Sequence, residues 1–158
     1  MCSILEDTIS TEDLERCQLQ YEKESEKPSN PEALEAAQFA YAWGLSRTRH
    51  RPSLRLACQL LQSLFLGTKD ETAKRDYLYY IAVAKVKLAE YEDAFEYIDG
   101  ILKVEPNNHQ VRQLRQEAEK QRKRDGTVGV AILGGAAAIV GVGAAVGAAI
   151  GIAKLARR

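Results

Sequence analysis

The chain has 158 residues, with 22 lysines and arginines against 22 aspartates and glutamates, a length suited to one domain with a modest core beside a further segment. The charge is uneven: all 22 acids lie in residues 1–125 with 19 of the basic residues, and residues 1–35 alone set ten acids against Arg16, Lys23 and Lys27. Such an acidic front end argues against nucleic acid as a partner, and three unpaired cysteines, Cys2, Cys17 and Cys58, indicate neither a disulfide framework nor a zinc site.

In chain order, Ser10-Thr11-Glu12-Asp13 reads as a helix cap with acids in the first turn, followed by a thin apolar stripe of Leu14, Cys17 and Tyr21. Lys27-Pro28-Ser29-Asn30-Pro31 is a break. Asn30 followed by Pro31 is a cap and a first-turn proline, so a second helix runs from there to about Thr48. Its segment Phe39–Leu45 is apolar all round, which predicts cover on more than one side. A third helix starts near Pro52 with Leu54, Ala57, Cys58, Leu61, Leu64 and Phe65 on one stripe, and Gly67 ends it. Thr68 with Glu71 fits a capping box for a fourth helix carrying Tyr77, Leu78, Tyr80, Ile81, Val83 and Leu88. A turn at Ala89-Glu90 leads to a fifth helix with Ala94, Phe95, Ile98, Ile101 and Leu102, stopped at Pro106. A sixth runs from about Asn108 to Arg124, with Val111, Leu114 and Ala118 on one face.

Residues 126–153 contain no charge: nine alanines, eight glycines, five valines, four isoleucines, one leucine and one threonine. A helix rises ~1.5 Å per residue and the hydrocarbon core is ~30 Å thick, so roughly 20 such residues suffice to cross it. The segment reads as one C-terminal transmembrane helix that holds the preceding domain on the cytosolic face. Cations flank it, with Lys120, Arg122, Lys123 and Arg124 before and Lys154, Arg157 and Arg158 after; the first group is an interfacial anchor and the second a short basic tail at 154–158 with a targeting role. Gly143, Gly147 and Gly151 recur every four residues, a spacing that lets two helices approach in lipid and predicts homo-oligomers. Residues 1–30 are too charged for a signal peptide.

The helices repeat. Ala57, Leu61, Leu64 and Phe65 recur as Ala94, Ile98, Ile101 and Leu102 at a constant offset of 37. Paired antiparallel helices near this period indicate tetratricopeptide-type repeats, and Leu88-Ala89-Glu90-Tyr91-Glu92-Asp93-Ala94 with Pro106 twelve residues past Ala94 carries the better copy. The expected fold is all-α: a six-helix tetratricopeptide-like bundle, two helix-pair repeats plus capping helices, made of an acidic arm and helix at 1–30 and a tetratricopeptide-like helical domain at 31–125, and followed by one C-terminal transmembrane helix. Such repeats stack around a concave face. That face is expected to show Ser46 and Arg49 from the second helix and Tyr79, Tyr80, Val83 and Lys87 from the fourth, a groove with tyrosines beside cations that suits a peptide. The acidic arm then reads as a lid over it.

The chain resembles the mitochondrial fission 1 protein family. The likeness rests on Tyr41-Ala42-Trp43-x-Leu45-x-Arg47, on Arg75-Asp76-Tyr77-x-Tyr79-Tyr80-Ile81-Ala82-Val83 and on Leu88-x-Glu90-Tyr91-Glu92-x-Ala94. It continues through Gly100-x-Leu102, Glu105-Pro106-x-Asn108-x-Gln110 and the junction Lys123-Arg124-Asp125-Gly126-x-Val128-Gly129. The resemblance implies a tail-anchored adaptor on the outer membrane of mitochondria and on peroxisomes. It implies recruitment of a dynamin-related GTPase, directly or through another adaptor, with Rab-regulating partners in animals, and an N-terminal arm that lies over the groove.

No enzyme is indicated and no cofactor is expected: His50 and His109 have no matched ligands, and no Gly-rich loop precedes a Lys-Ser or Lys-Thr pair. A second class remains, a tail-anchored tetratricopeptide receptor for chaperones or client peptides, which would need converging Lys, Arg and Asn side chains. A fusion protein of SNARE type would need unbroken heptads, and Pro106 interrupts them.

Overall fold

The computed structural model describes residues 3–126. Six helices follow a short arm at 3–10 that opens with a turn: α1 (Thr11–Glu26), α2 (Pro31–Ser46), α3 (Arg51–Gly67), α4 (Glu71–Lys87), α5 (Tyr91–Val104) and α6 (His109–Gly126). Consecutive helices pack on one another, and α4 also touches α2 and α6. Short connections make neighbours antiparallel, so α2, α4 and α6 run the same way and form the inner layer. The expected span at 126–153, the glycines Gly143, Gly147 and Gly151 and the cations Lys154, Arg157 and Arg158 lie outside the described residues, apart from Gly126 itself. Among the described residues, no helix is long and apolar enough to cross a membrane.

Local chemistry sets the helix starts. Ser10 Oγ accepts from the Asp13 amide at 3.1 Å, Asn30 Oδ1 from Ala33 at 2.7 Å and Asn108 Oδ1 from Val111 at 3.1 Å. Each side chain satisfies an amide that the first turn leaves unbonded. The start of α4 differs from the capping box expected at Thr68 and Glu71. Asp70 is the cap and accepts from the Thr72 amide at 2.9 Å, while Thr68 Oγ1 accepts from the Asp70 amide. The carboxylate two residues closer to the helix took the position, because the helix begins at Glu71 and not two residues earlier.

The two copies of the repeat are packed alike. Ala57 and Leu61 in α3, and Ala94 and Ile98 in α5, are wholly buried, and Leu64 and Ile101 lie buried beside them. Phe65 and Leu102 are only partly covered in both copies. Helix α1 is joined through a second apolar cluster, in which Leu14, Cys17 and Tyr21 pack on Tyr41, Leu45 and Ala57. A Cβ on Gly44 would meet Leu14 Cδ1 at 3.1 Å and Ile9 Cδ1 at 3.2 Å, so the missing side chain is what allows α1 and the arm to close on α2.

The α4–α5 turn is the tightest connection. Glu90 N bonds back to Lys85 O and Ala89 N to Val86 O, both at 3.0 Å, the paired bonds of a Schellman ending. Lys85, half-buried, meets both Glu90 in the turn and Asp93 on the next helix. Ala89 occupies the left-handed position with φ of 62°, where an L side chain costs about 1–2 kcal/mol. Ala89→Gly removes that cost at the expense of unfolded-state freedom. It should stabilise the domain by about 0.5–1 kcal/mol, read as a higher urea midpoint with unchanged slope.

Candidate partner groove

The inner face of α2, α4 and α6 divides into a covered half and an open half. The arm makes the cover. Ser3 Oγ donates to the Glu117 carboxylate on α6, and Leu5 is buried in the main core with Ile4 packed against it. Asp7 Oδ1 accepts from Arg47 Nη2 at 2.6 Å. The same guanidinium lies 4.4 Å from the Trp43 ring centroid, close enough for cation–π attraction. Its Nε is buried with no hydrogen-bond partner among the described residues, so Asp7 is the acid that holds this cation.

Lys87 is the second fastening. Its Nζ donates to the Ser46 carbonyl at 2.8 Å and lies 3.4 Å from the Asp7 carbonyl. The bond to Ser46 satisfies one of the carbonyls that the end of α2 leaves open. Burial disfavours the ammonium form and pushes the Lys87 pKa down to about 8; nearby Asp7 pulls it up, and Arg49 and Arg47 push it further down.

The open half lies toward the other ends of the helices. A cavity of about 260 Å³ is walled by Phe39, Tyr79, Tyr80, Arg75, Asp76 and Asn108. Tyr80 stands edge-on to Tyr79 at 5.2 Å between ring centroids and to Phe39 at 5.9 Å. Tyr77, behind them, packs tilted against Phe39 at 5.4 Å between ring centroids and donates its hydroxyl to Glu35 at 2.8 Å. Tyr79 is buried and hydrogen-bonded to Gln110; burial pushes its phenol up to about 12. Arg75 is matched by Asp76 at 2.8 Å and by Glu105 at 3.4 Å, which spends its charge within the protein. The cavity therefore offers aromatic edges and amides, suited to an extended main chain more than to a free carboxylate.

The six residues expected to line the groove fall in different places. Tyr79 and Tyr80 meet at the open cavity. Ser46 and Lys87 meet beneath the arm. Ser46 is buried, and its hydroxyl donates to the Trp43 carbonyl at 2.7 Å. Val83 is 1% exposed and belongs to the core, because α4 is covered on both sides. Arg49 is not on α2: that helix ends at Ser46, and Arg49 sits exposed in the connection to α3. Sequence reasoning missed Asp7, Arg47, Phe39, Arg75 and Asn108 as groove residues. Arg47 had a signal, a cation four residues after Trp43 on the same helical face. Asp7 had none, since it acts across 40 residues of chain.

A depressed lysine pKa has a definite sign. Between pH about 8 and the unfolded value of 10.5 the folded state holds fewer protons at Lys87, so its contribution to stability is least below pH 8 and rises through that window. The Lys87 Cε resonance should titrate near pH 8, and Asp7→Ala should lower the midpoint further by removing the neighbour that favours the cation. An NMR titration of labelled lysines reads both.

Comparison with known proteins bears on the whole chain. The family model described as Fis1 C-terminal tetratricopeptide repeat matches residues 75–127. The mitochondrial fission 1 protein of Rattus norvegicus is 36% identical over 98% of this chain and 99% of its own length, and that of Homo sapiens is 38% identical with the same coverage. The protein of that name from Yarrowia lipolytica is 36% identical over 90% of this chain and 86% of its own length. Among solved structures, yeast Fis1 in complex with an Mdv1 fragment containing N-terminal extension and coiled coil domains superposes with a TM-score of 0.66. It is 25% identical over 78% of this chain and 94% of that one. The solution structure of yeast Fis1 gives 0.65, covering 89% and 94%.

Proposed function

The chain belongs to the mitochondrial fission 1 family, and from that premise we propose that its groove recruits a dynamin-related GTPase or that enzyme's adaptor to mitochondria and peroxisomes, under control of the arm. Its coarser role is that of a fission adaptor built on tetratricopeptide-type helices, and it is not an enzyme. The observation that carries the finer reading is the divided groove: an aromatic cavity open at one end and a short, polar-fastened segment over the other. A relative crystallised with a fragment containing an N-terminal extension and a coiled coil supports an elongated protein partner of this kind. The chaperone-receptor alternative needs free cations for a terminal carboxylate; Asn108 lies at the cavity, but Arg75 is neutralised there.

The lid in this reading is residues 3–10, not the whole of 1–30. Helix α1 has an apolar cluster of its own with α2 and α3, whereas the arm is held by Leu5 and Ile4, one ion pair and a few hydrogen bonds. A segment with so few contacts opens at low free-energy cost. Its removal raises apparent affinity by the reciprocal of the open fraction. Deleting residues 1–10 should strengthen binding of the recruited GTPase or its adaptor, and Tyr80→Ala with Lys87→Ala should abolish the gain. Titration of the three proteins decides it: weaker binding on truncation, with the fold intact by circular dichroism, would make the arm part of the site.

The tail completes the proposal. Residues 126–153 span the outer mitochondrial membrane, the basic tail directs the chain there and partly to peroxisomes, and the Gly143, Gly147 and Gly151 face pairs copies within the bilayer. Rab-regulating proteins are further partners for the same cytosolic face. A reporter fused to residues 120–158 should reach mitochondria and, in part, peroxisomes. Exchange of Lys154, Arg157 and Arg158 for Ser should send it toward the endoplasmic reticulum, and Gly147→Ile should reduce crosslinked homo-oligomers. An unchanged distribution and an unchanged crosslinking yield would remove those two roles respectively.

A further inference from the structure

The three inner helices end at one level. The Lys87 amine at the end of α4 bonds the last residue of α2. One short turn later, Tyr91 at the start of α5 donates to Asp125 near the end of α6, and Glu92 pairs with Arg122 at 2.8 Å. The chain leaves the described residues at Gly126, at this same end of the domain. The connection between α2 and α3 is therefore on the side of the domain from which residues 126–153 depart.

That connection and the start of α3 are basic, Arg47-Thr48-Arg49-His50 followed by Arg51, with Arg55 one turn into α3 on the same face as Arg51. Arg47 is held by Asp7, but Arg49, Arg51 and Arg55 are exposed, and none of them takes part in an ion pair among the described residues. Several acids at this end are partnered: Asp7 with Arg47, Glu90 and Asp93 with Lys85, Glu92 with Arg122, Asp125 with Tyr91. Glu6, Glu12 and Glu15, on the arm and the start of α1, are exposed, but residues 36–69, which carry the three arginines, contain no acid. Lys120 and Lys123 are exposed toward the end of α6. Helices pack roughly 8–10 Å apart, and α4 lies between α2 and α6, so the arginine loop stands about 20 Å across from the exit of the chain.

The geometry points to a second membrane contact: Arg49, Arg51 and Arg55 rest on anionic phospholipid headgroups, with the end of α6 as the other support. The inference rests on the anchored reading of residues 126–153. A domain held at one point can tilt and swivel about it. Two supports about 20 Å apart fix its tilt, and with it the direction in which the groove opens. The cytoplasmic leaflet is negatively charged, and each basic residue near it strengthens attraction by roughly fivefold. The guanidinium fork also suits phosphate better than an ammonium does. The loop needs no rearrangement for this, because its arginines are already exposed.

The test uses the full chain reconstituted into phosphatidylcholine vesicles with and without phosphatidylserine. Flotation reports the anchor. Modification of arginines by a phenylglyoxal reagent, read by mass spectrometry, reports the contact. Arg112, exposed in the first turn of α6 at the far end, is the internal control. The chain should float with both vesicles. Arg49, Arg51 and Arg55 should lose reactivity about fivefold or more only with phosphatidylserine present and regain it near 1 M salt, where screening acts within ~3 Å; Arg112 should not change. A chain that floats but shows equal reactivity of the three arginines on both vesicles overturns the inference, as does equal protection on neutral lipid. Protection that appears only when a protein partner is added assigns the loop to an acidic protein face instead. A chain that floats with neither vesicle removes the anchored reading itself.

Discussion

One half-buried amine, on Lys87, ties together three parts of the chain. Lys87 closes α4, bonds the terminal carbonyl of α2 and faces the main chain of the arm. A charge in such a place is costly unless its hydrogen-bonding capacity is met. Here the partners are carbonyls, with no carboxylate making a direct pair. Arg47 repeats the arrangement a few residues away, with Trp43 beneath it and Asp7 in front. These two cations set the level at which the inner helices stop.

The covered and open halves of the groove obey different physics. Beneath the arm, recognition is by main-chain carbonyls and one carboxylate, groups that any extended acidic segment could supply. At the cavity it is by ring edges and amides, which favour shape over charge. In the proposed role, a partner long enough to use both would meet the aromatic half at once and the polar half only after displacing the arm. Affinity and access would then be separable, with Phe39 and Tyr80 on the first side and Asp7 and Arg47 on the second.

Much of the fold was legible because it repeats local rules. The cap at Asn30 before Pro31, the proline stop after α5 and the 37-residue offset between α3 and α5 are each short-range signals, and each has its counterpart in the helices observed. The cap of α4 was misjudged by two residues because Thr68 and Asp70 both carry suitable side chains, and only the backbone path chooses between them. Tyr79 and Tyr80, expected on the groove, do line a cavity together. The groove was not legible in Ser46 and Val83, which point the expected way but are covered. Asp7 was out of reach, because nothing in an eight-residue stretch states which distant cation it will meet. Arg49 was misplaced for a related reason: a helix that ends two residues early moves a side chain from a wall to a rim.

The sequential packing of the helices has a kinetic corollary. Every strong helix–helix contact joins neighbours in the chain or next-but-one neighbours, a pattern of low contact order that favours fast assembly. The arm is the exception. Its fastenings reach across 40, 80 and 114 residues, to Arg47, Lys87 and Glu117. The last two cannot form until α4 and then α6 are in place, and each closes a large loop whose entropy must be met by few contacts. The order of assembly is therefore fixed by topology: the groove exists, uncovered, before its cover can be fastened. A chain newly folded passes through the uncovered form on its way to the covered one.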